Sequence, residues 1–106
     1  MMIADPATQT DFRVAMRRLA STVAVVTAAC EGERYGMTMT AVTSLSTDPP
    51  ALVLCVNRAA SIHAVLSRGH LVPFCINLLG EAQHAIAQAF AGQSPREERL
   101  ATGAWI

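Results

Sequence analysis

Residues 36–50 read GMTMTAVTSLSTDPP, and their polarity alternates almost without interruption. Met37, Met39, Ala41 and Leu45 fall on one parity, Thr38, Thr40, Ser44 and Ser46 on the other. Successive side chains of a strand point to opposite faces, so this spacing predicts one strand with a row of hydroxyls on one side and apolar residues on the other. Two readings of the row stand side by side. Threonine suits strands and serine is tolerated there, so the alcohols can be simply the wet side of a half-buried sheet. Alternatively they line a ligand. The next run, ALVLCV (51–56), is apolar on both parities, as expected of a central strand covered on each face, and it feeds a polar turn with Asn57, Arg58 and Ser61. Ser61 is suited to cap a helix over IHAVLSR (62–68), where unpaired backbone N–H groups beside a guanidinium make an anion site. A row of donors ending at an anion site suits a flat polar heterocycle with a phosphate tail.

The surrounding elements follow from periodicity and punctuation. Upstream, Thr10 or Asp11 can cap a helix over DFRVAMRRLA (11–20), with Phe12, Ala15, Met16 and Leu19 as its apolar stripe and Arg13, Arg17 and Arg18 on the solvated remainder. TVAVVTAAC (22–30) is dense in valine and reads as a buried strand, joined through EGER (31–34) by a short hairpin turn to the alternating stretch. STDPP (46–50) closes that stretch, because proline donates nothing to a sheet. In the helix after Ser61, Ile62, Val65 and Leu66 face inward and Gly69 is the stop. VPFCINLL (72–79) is another strand, its proline tolerable near the start or on an edge. EAQHAIAQAF (81–90) places Ala82, Ala85, Ile86, Ala89 and Phe90 on one helical face and ends at Gly92. GQSPREERLATG (92–103) is polar, charged and broken by proline, and reads as a mobile loop. The apolar AWI that follows is an odd place for a packed element to stop, and reads as a longer domain cut short.

Composition bounds the function. A chain of 106 residues builds one domain with a real core but not two. Eight basic residues balance eight acidic ones, so no global electrostatic footprint for nucleic acid or anionic lipid exists. Cys30, Cys55 and Cys75 are widely spaced and read as reduced core thiols. His63, His70 and His84 lack the spacing of a zinc site. No apolar run reaches membrane-spanning length and the N-terminus has no signal-peptide pattern, which makes the cytoplasm the default location. Neither a close carboxylate pair nor a nucleophile with its base is recognisable.

The order DFRVAMRRLASTVAVVTA, then GMTMTAVTSLSTDPPALVLCVN, then a serine three residues after Arg58, then FCINLL and a Q…IA..FAG segment resembles the flavin reductase-like family, the small reductase components of two-component flavin-dependent monooxygenases. The resemblance runs from about Phe12 to Trp105. It implies an α+β, mainly β fold: a split β-barrel of the FMN-binding type with flanking helices, here incomplete because members continue with further strands and a Gly-Asp-His segment. Residues 1–10 are then a flexible N-terminus and 11–106 the flavin reductase-like domain. The implied activity is NAD(P)H-dependent reduction of free FMN or FAD by a homodimer, with NADH or NADPH as co-substrate and the reduced flavin passing to a separate oxygenase component. The alternative is a truncated, non-catalytic remnant that binds flavin or self-associates.

Carried over by position, the resemblance assigns flavin contacts to Thr38, Thr40, Ala41, Ser44, Cys55, Val56, Asn57, Arg58, Ser61 and Phe90, with Arg58 and Ser61 nearest the phosphate. No catalytic side chain and no metal ligand is implied. Each assignment has a structural rival: Cys55 and Phe90 as core, Arg58 as a surface charge, Ser61 as a helix cap and nothing more. The choice between FMN and FAD, between NADH and NADPH, and of the oxygenase partner is not written in these residues.

Overall fold

The computed structural model describes residues 6–18, 21–68, 71–103 and 105. A helix α1 (Pro6–Met16) precedes a hairpin of β1 (Ala24–Cys30) and β2 (Glu33–Met39). A second hairpin follows, β3 (Val42–Thr47) and β4 (Pro50–Leu54), then α2 (Ser61–Leu66), β5 (Phe74–Leu78) and α3 (His84–Gln88). The strands form two antiparallel sheets, one ordered β2-β1-β5 and the other β3-β4 alone.

β1 is the centre of the molecule, and its valines show why. Val25 and Val26 point to opposite faces of the three-stranded sheet and neither is exposed to solvent. Val26 and Ala28 pack with Met39 of β2 and with Ile62 and Val65 of α2. On the other face Val25 packs with Ile86, Ala89 and Phe90 from α3 and the turn after it. A strand covered on both faces reads as a continuous apolar run, which is what TVAVVTAAC is. The hairpin into β2 turns on Glu31 and Gly32, both at positive φ (54° and 78°), the backbone that a two-residue turn between twisted strands needs.

The alternating stretch is not one strand. β2 ends at Met39 and β3 begins at Val42 in the other sheet, because the Val42 N–H bonds back to the Thr40 carbonyl at 2.9 Å. An i to i+2 bond of this kind is a γ-turn, centred here on Ala41, and it breaks the strand with neither glycine nor proline at its centre. A register shift between Ser44 and Ser46 interrupts the alternation again. The hydroxyls therefore do not form one row. Thr38 is half-buried in the first sheet, Thr40 and Ser44 are exposed, and Ser46 is half-buried in the second sheet.

Four further expectations are corrected. β4 is no central strand: it pairs with β3 only, and Leu52 and Val53, on opposite faces, are both exposed. α1 begins at Pro6, upstream of Thr10 and Asp11, and its apolar stripe is left open, with Phe12 at 62% exposure; Leu19 lies outside the described residues. Cys55 and Cys75 are exposed and Cys30 is half-buried, so none is a core thiol; β5, which carries Cys75, is an edge strand. Residues 92–103 are not a featureless loop. A π-helical turn (Ala89–Gln93) closes α3, and a 3-10 helix (Arg96–Ala101) folds the chain back, so that Leu100 and Trp105 pack on the Phe90 cluster.

α2 and α3 keep their expected cores with shifted ends. Ile62 and Val65 are fully buried. Ser61 is the first helical residue and Ala60 holds the cap position without a side-chain bond. The turn before it is fixed instead by Asn57, whose Oδ1 accepts the Ala59 N–H at 2.8 Å and whose carbonyl accepts the Ala60 N–H at 3.0 Å. Gly69 lies outside the described residues. On α3, Ile86, Ala89 and Phe90 are buried while Ala82 and Ala85 are exposed, because residues 81–83 form a 3-10 turn before the helix proper. No helix among the described residues is long and apolar enough to cross a membrane.

Candidate functional site

β2 lies at the edge of its sheet, and a cleft of about 570 Å³ opens along it between the turn leading into α2 and the π-helical turn. That volume is within the range of small-molecule and cofactor sites, roughly 300–1,000 Å³. Gly36, Met37 and Thr38 line it from β2, Asn57 to Ile62 (without Arg58) from the α2 side, Phe90 to Gly92 from the π turn, and Arg96 and Arg99 from the 3-10 helix.

Gly36 shapes the floor. A Cβ placed there would lie within 2.6 Å of two ring carbons of Phe90, so the aromatic ring packs directly against bare backbone. Phe90 is only 2% exposed and meets Trp105 edge-on, with ring centroids 5.6 Å apart and planes at 66°. The ring cannot give way cheaply. Gly36→Ala is expected to cost about 1–3 kcal/mol of stability, the range for overpacking a filled site, measured as a lowered urea midpoint with unchanged slope.

The strand edge supplies backbone donors. The Gly36 carbonyl points away from β1, since it accepts a bond from Arg99 Nη1 at 3.2 Å. Residues of one parity on an antiparallel strand direct both N–H and C=O to the same side, so the N–H groups of Gly36 and Thr38 also face the free edge. The Thr38 side chain is committed elsewhere: its hydroxyl donates to the Ala87 carbonyl at 2.6 Å and ties β2 to α3. Its first role is therefore structural. Across the cleft, Asn57 uses its Oδ1 to hold its own turn, and its Nδ2 has no partner among the described residues. Ser61 contributes a hydroxyl and Ile62 an apolar wall.

Two arginines from the 3-10 helix complete the rim. Residues three apart eclipse on such a helix, which puts Arg96 and Arg99 on one side. Arg96 is paired with Glu33 at 3.1 Å and lies over the Tyr35 ring at 4.9 Å; the bond to Glu33, then that to Tyr35, raises the guanidinium pKa above its already high ordinary value. Arg99 donates from Nε to the Ser94 carbonyl at 3.2 Å as well as to Gly36.

Of the ten positions expected to touch a flavin, Thr38, Asn57, Ser61 and Phe90 meet in this cleft. Thr40, Ala41, Ser44, Cys55, Val56 and Arg58 are outside its lining. Ala41 and Cys55 are neighbours, joined by a 3.2 Å bond from the Cys55 N–H to the Ala41 carbonyl, and they adjoin the cleft through Asn57. Val56 packs against the α2 core, while Thr40, Ser44 and Arg58 are exposed. Among the lining residues that sequence reading did not assign to the site, Gly36, Arg96 and Arg99 shape it most. The i, i+3 spacing of the two arginines was the available signal, hidden by the assignment of that segment to a loop.

Fold and site together define an α+β protein of antiparallel sheets with a nucleotide-sized cleft on a sheet edge. The chain belongs to the flavin reductase like domain family, which it matches over residues 16–106. It is similar to the FMN reductase (NADH) RutF 1 of Methylorubrum extorquens, 45% identical over 94 residues that cover 89% of this chain and 46% of that protein. The reductase component of the FADH(2)-dependent resorcinol hydroxylase of a Rhizobium species is 41% identical over 90% of this chain and 53% of its own. Among solved structures, the NADH:FAD oxidoreductase of Streptomyces globisporus C-1027, in complex with NAD and FAD fragments, superposes with a TM-score of 0.79 at 29% identity, over 100% of this chain and 61% of that one. The chain spans about half the length of the curated relatives it matches.

Proposed function

We propose that the protein is an NAD(P)H:flavin oxidoreductase that reduces FMN or FAD and hands the reduced flavin to a separate oxygenase component, as a homodimer with a split-barrel fold. The observation that carries this reading is the cleft itself. It joins outward backbone donors along the β2 edge (Gly36, Thr38), a spare amide (Asn57), a hydroxyl (Ser61) and two guanidinium groups (Arg96, Arg99) over a floor backed by the buried Phe90 ring, a set that suits the polar rim and phosphate of a flavin nucleotide. These residues fit the polar parts of the cofactor: its ring edge needs donors, and its phosphate needs a cation.

The cofactors carry the hydride transfer, and no acid–base pair from the chain is required. This chain's part is orientation. Gly36 and Phe90 form the rigid floor, the strand-edge N–H groups and Asn57 hold the polar rim, and Arg96 and Arg99 of the 3-10 helix stand at one end of the cleft. Thr40, Ala41, Ser44, Cys55 and Arg58 extend the contact surface beyond the cleft, toward a larger ligand or a second copy of the chain.

A second reading, a flavin-binding, self-associating form without reductase activity, is favoured by one observation: Leu52 and Val53 leave the β3–β4 ribbon open on both faces, an uncovered apolar surface that suits pairing with another chain. Following NADH absorbance with FMN or FAD in air separates the two. Flavin-dependent NADH oxidation supports the reductase. Saturable quenching of flavin fluorescence without NADH loss supports the binding-only form, and absence of both signals contradicts each.

A further inference from the structure

We propose that Arg99 is the phosphate-recognition residue of the cleft, an assignment that rests on the reading of the cleft as a nucleotide site. Its guanidinium is half-buried and held from two directions, by the Ser94 carbonyl through Nε and by the Gly36 carbonyl through Nη1, each at 3.2 Å. Both partners are neutral. No carboxylate among the described residues pairs with it, whereas Arg96 has Glu33 at 3.1 Å and Arg68 has Glu31 at 3.5 Å. The chain therefore spends backbone acceptors to fix a cation and leaves its charge uncompensated inside a cleft.

A half-buried charge without a partner is costly, and the arrangement becomes favourable when the missing anion comes from a ligand. With Nε and one Nη1 hydrogen engaged, the Nη2 edge of the fork remains to donate. That edge is planar and suited to two oxygens of one phosphoryl group. Arg96 lies beside it on the same face of the 3-10 helix, already neutralised by Glu33, so Arg99 supplies the net positive charge at this end of the cleft. Met37, Ala59, Ala60 and Ala91 supply the accessible apolar surface of the cleft, so the ligand expected here is a heterocycle carrying a phosphate, which a flavin nucleotide and a nicotinamide dinucleotide both are.

The test is a pair of fluorescence titrations, FMN against riboflavin, on the parent protein, Arg99→Gln and Arg99→Lys, with the KM for NADH compared with that for reduced nicotinamide riboside. Trp105 fluorescence and circular dichroism confirm that the variants fold. The expected result is that the parent binds FMN about tenfold or more tightly than riboflavin, the size of a charge-assisted hydrogen bond. Arg99→Gln brings that ratio close to one while riboflavin affinity holds, and Arg99→Lys, which keeps the charge but loses the planar fork and its two backbone anchors, recovers only part of it. If the phosphate recognised belongs to the nicotinamide nucleotide, the same collapse appears in the NADH comparison instead. Equal binding of FMN and riboflavin by the parent, with no discrimination in the NADH arm, overturns the assignment and leaves the flavin site standing. An equal loss of both flavins in Arg99→Gln also overturns it, since that marks a role in holding the 3-10 helix alone. Failure of the parent to bind either flavin removes the nucleotide reading and this inference with it.

Discussion

Phe90→Ala is expected to lower stability by about 3–5 kcal/mol, the range for truncating a buried aromatic. Domains of this size are stable by only about 5–15 kcal/mol, so the change removes a large share of the total. The ring is 2% exposed, touches Val25, Ile86 and Ala89 in one cluster, and forms the edge-on contact with Trp105. One circumstance moderates the cost. Phe90 also lines the cleft, so the void left by alanine joins a space that water already reaches, which favours the lower end of the range. Trp105 is the sole tryptophan, and its emission reports the change directly. The unfolding midpoint should fall sharply and the native emission shift to the red. Flavin affinity should fall further than the stability loss alone accounts for, because the floor of the cleft at Gly36 loses the ring that backs it. A midpoint within experimental error of the parent would show that the ring is not packed as described.

Ile62→Ala should cost about 2–5 kcal/mol. Ile62 is fully buried and, with Val65, packs α2 against Val26, Ala28 and Met39. α2 has six residues, too short to hold itself together in water, so its helical state depends on this packing. The substitution therefore acts on two levels. It removes apolar contact, and it loosens the turn from Asn57 to Ser61 that forms one wall of the cleft. Amide hydrogen exchange separates them: exchange through residues 57–66 should accelerate more than exchange in β1. Uniform acceleration across both would mean that α2 is not an independent weak point.

These two residues also show what was legible in the chain. Ile62, Val65, Ile86, Ala89 and Phe90 were found from helical spacing, and β1 from its run of valines, because burial imposes those periods on the sequence directly. β4 has a similar run and a different fate. An apolar strand with both faces covered and one with both faces open are written alike, and the difference lies in what packs against them. The split of residues 36–47 was hidden for a local reason. A γ-turn at Ala41 uses one backbone bond and no special residue, so the alternation of side chains runs on past the point where the strand ends.

The site was legible in part, by a different route. Thr38, Asn57, Ser61 and Phe90 could be assigned to a flavin site only through the family resemblance, and the structure brings these four together in one cleft. Arg99 could not, since its position depends on a 3-10 helix in a segment whose proline and charges read as a loop. Gly36 stood in the sequence only as the first residue of the alternating stretch: the ring pressed against it comes from a position 54 residues later in the chain, and no local pattern reports that distance.

The account stands on the cleft along β2 being the flavin site. Its most direct test is the amide spectrum of isotopically labelled protein titrated with FMN. The largest shifts should fall on Gly36, Thr38, Asn57, Ser61 and Ala91, which face one another across the cleft. Shifts confined to Thr43–Thr47 and Ala51–Leu54 would place the ligand on the open β3–β4 ribbon and contradict the account, as would a spectrum that FMN leaves unchanged.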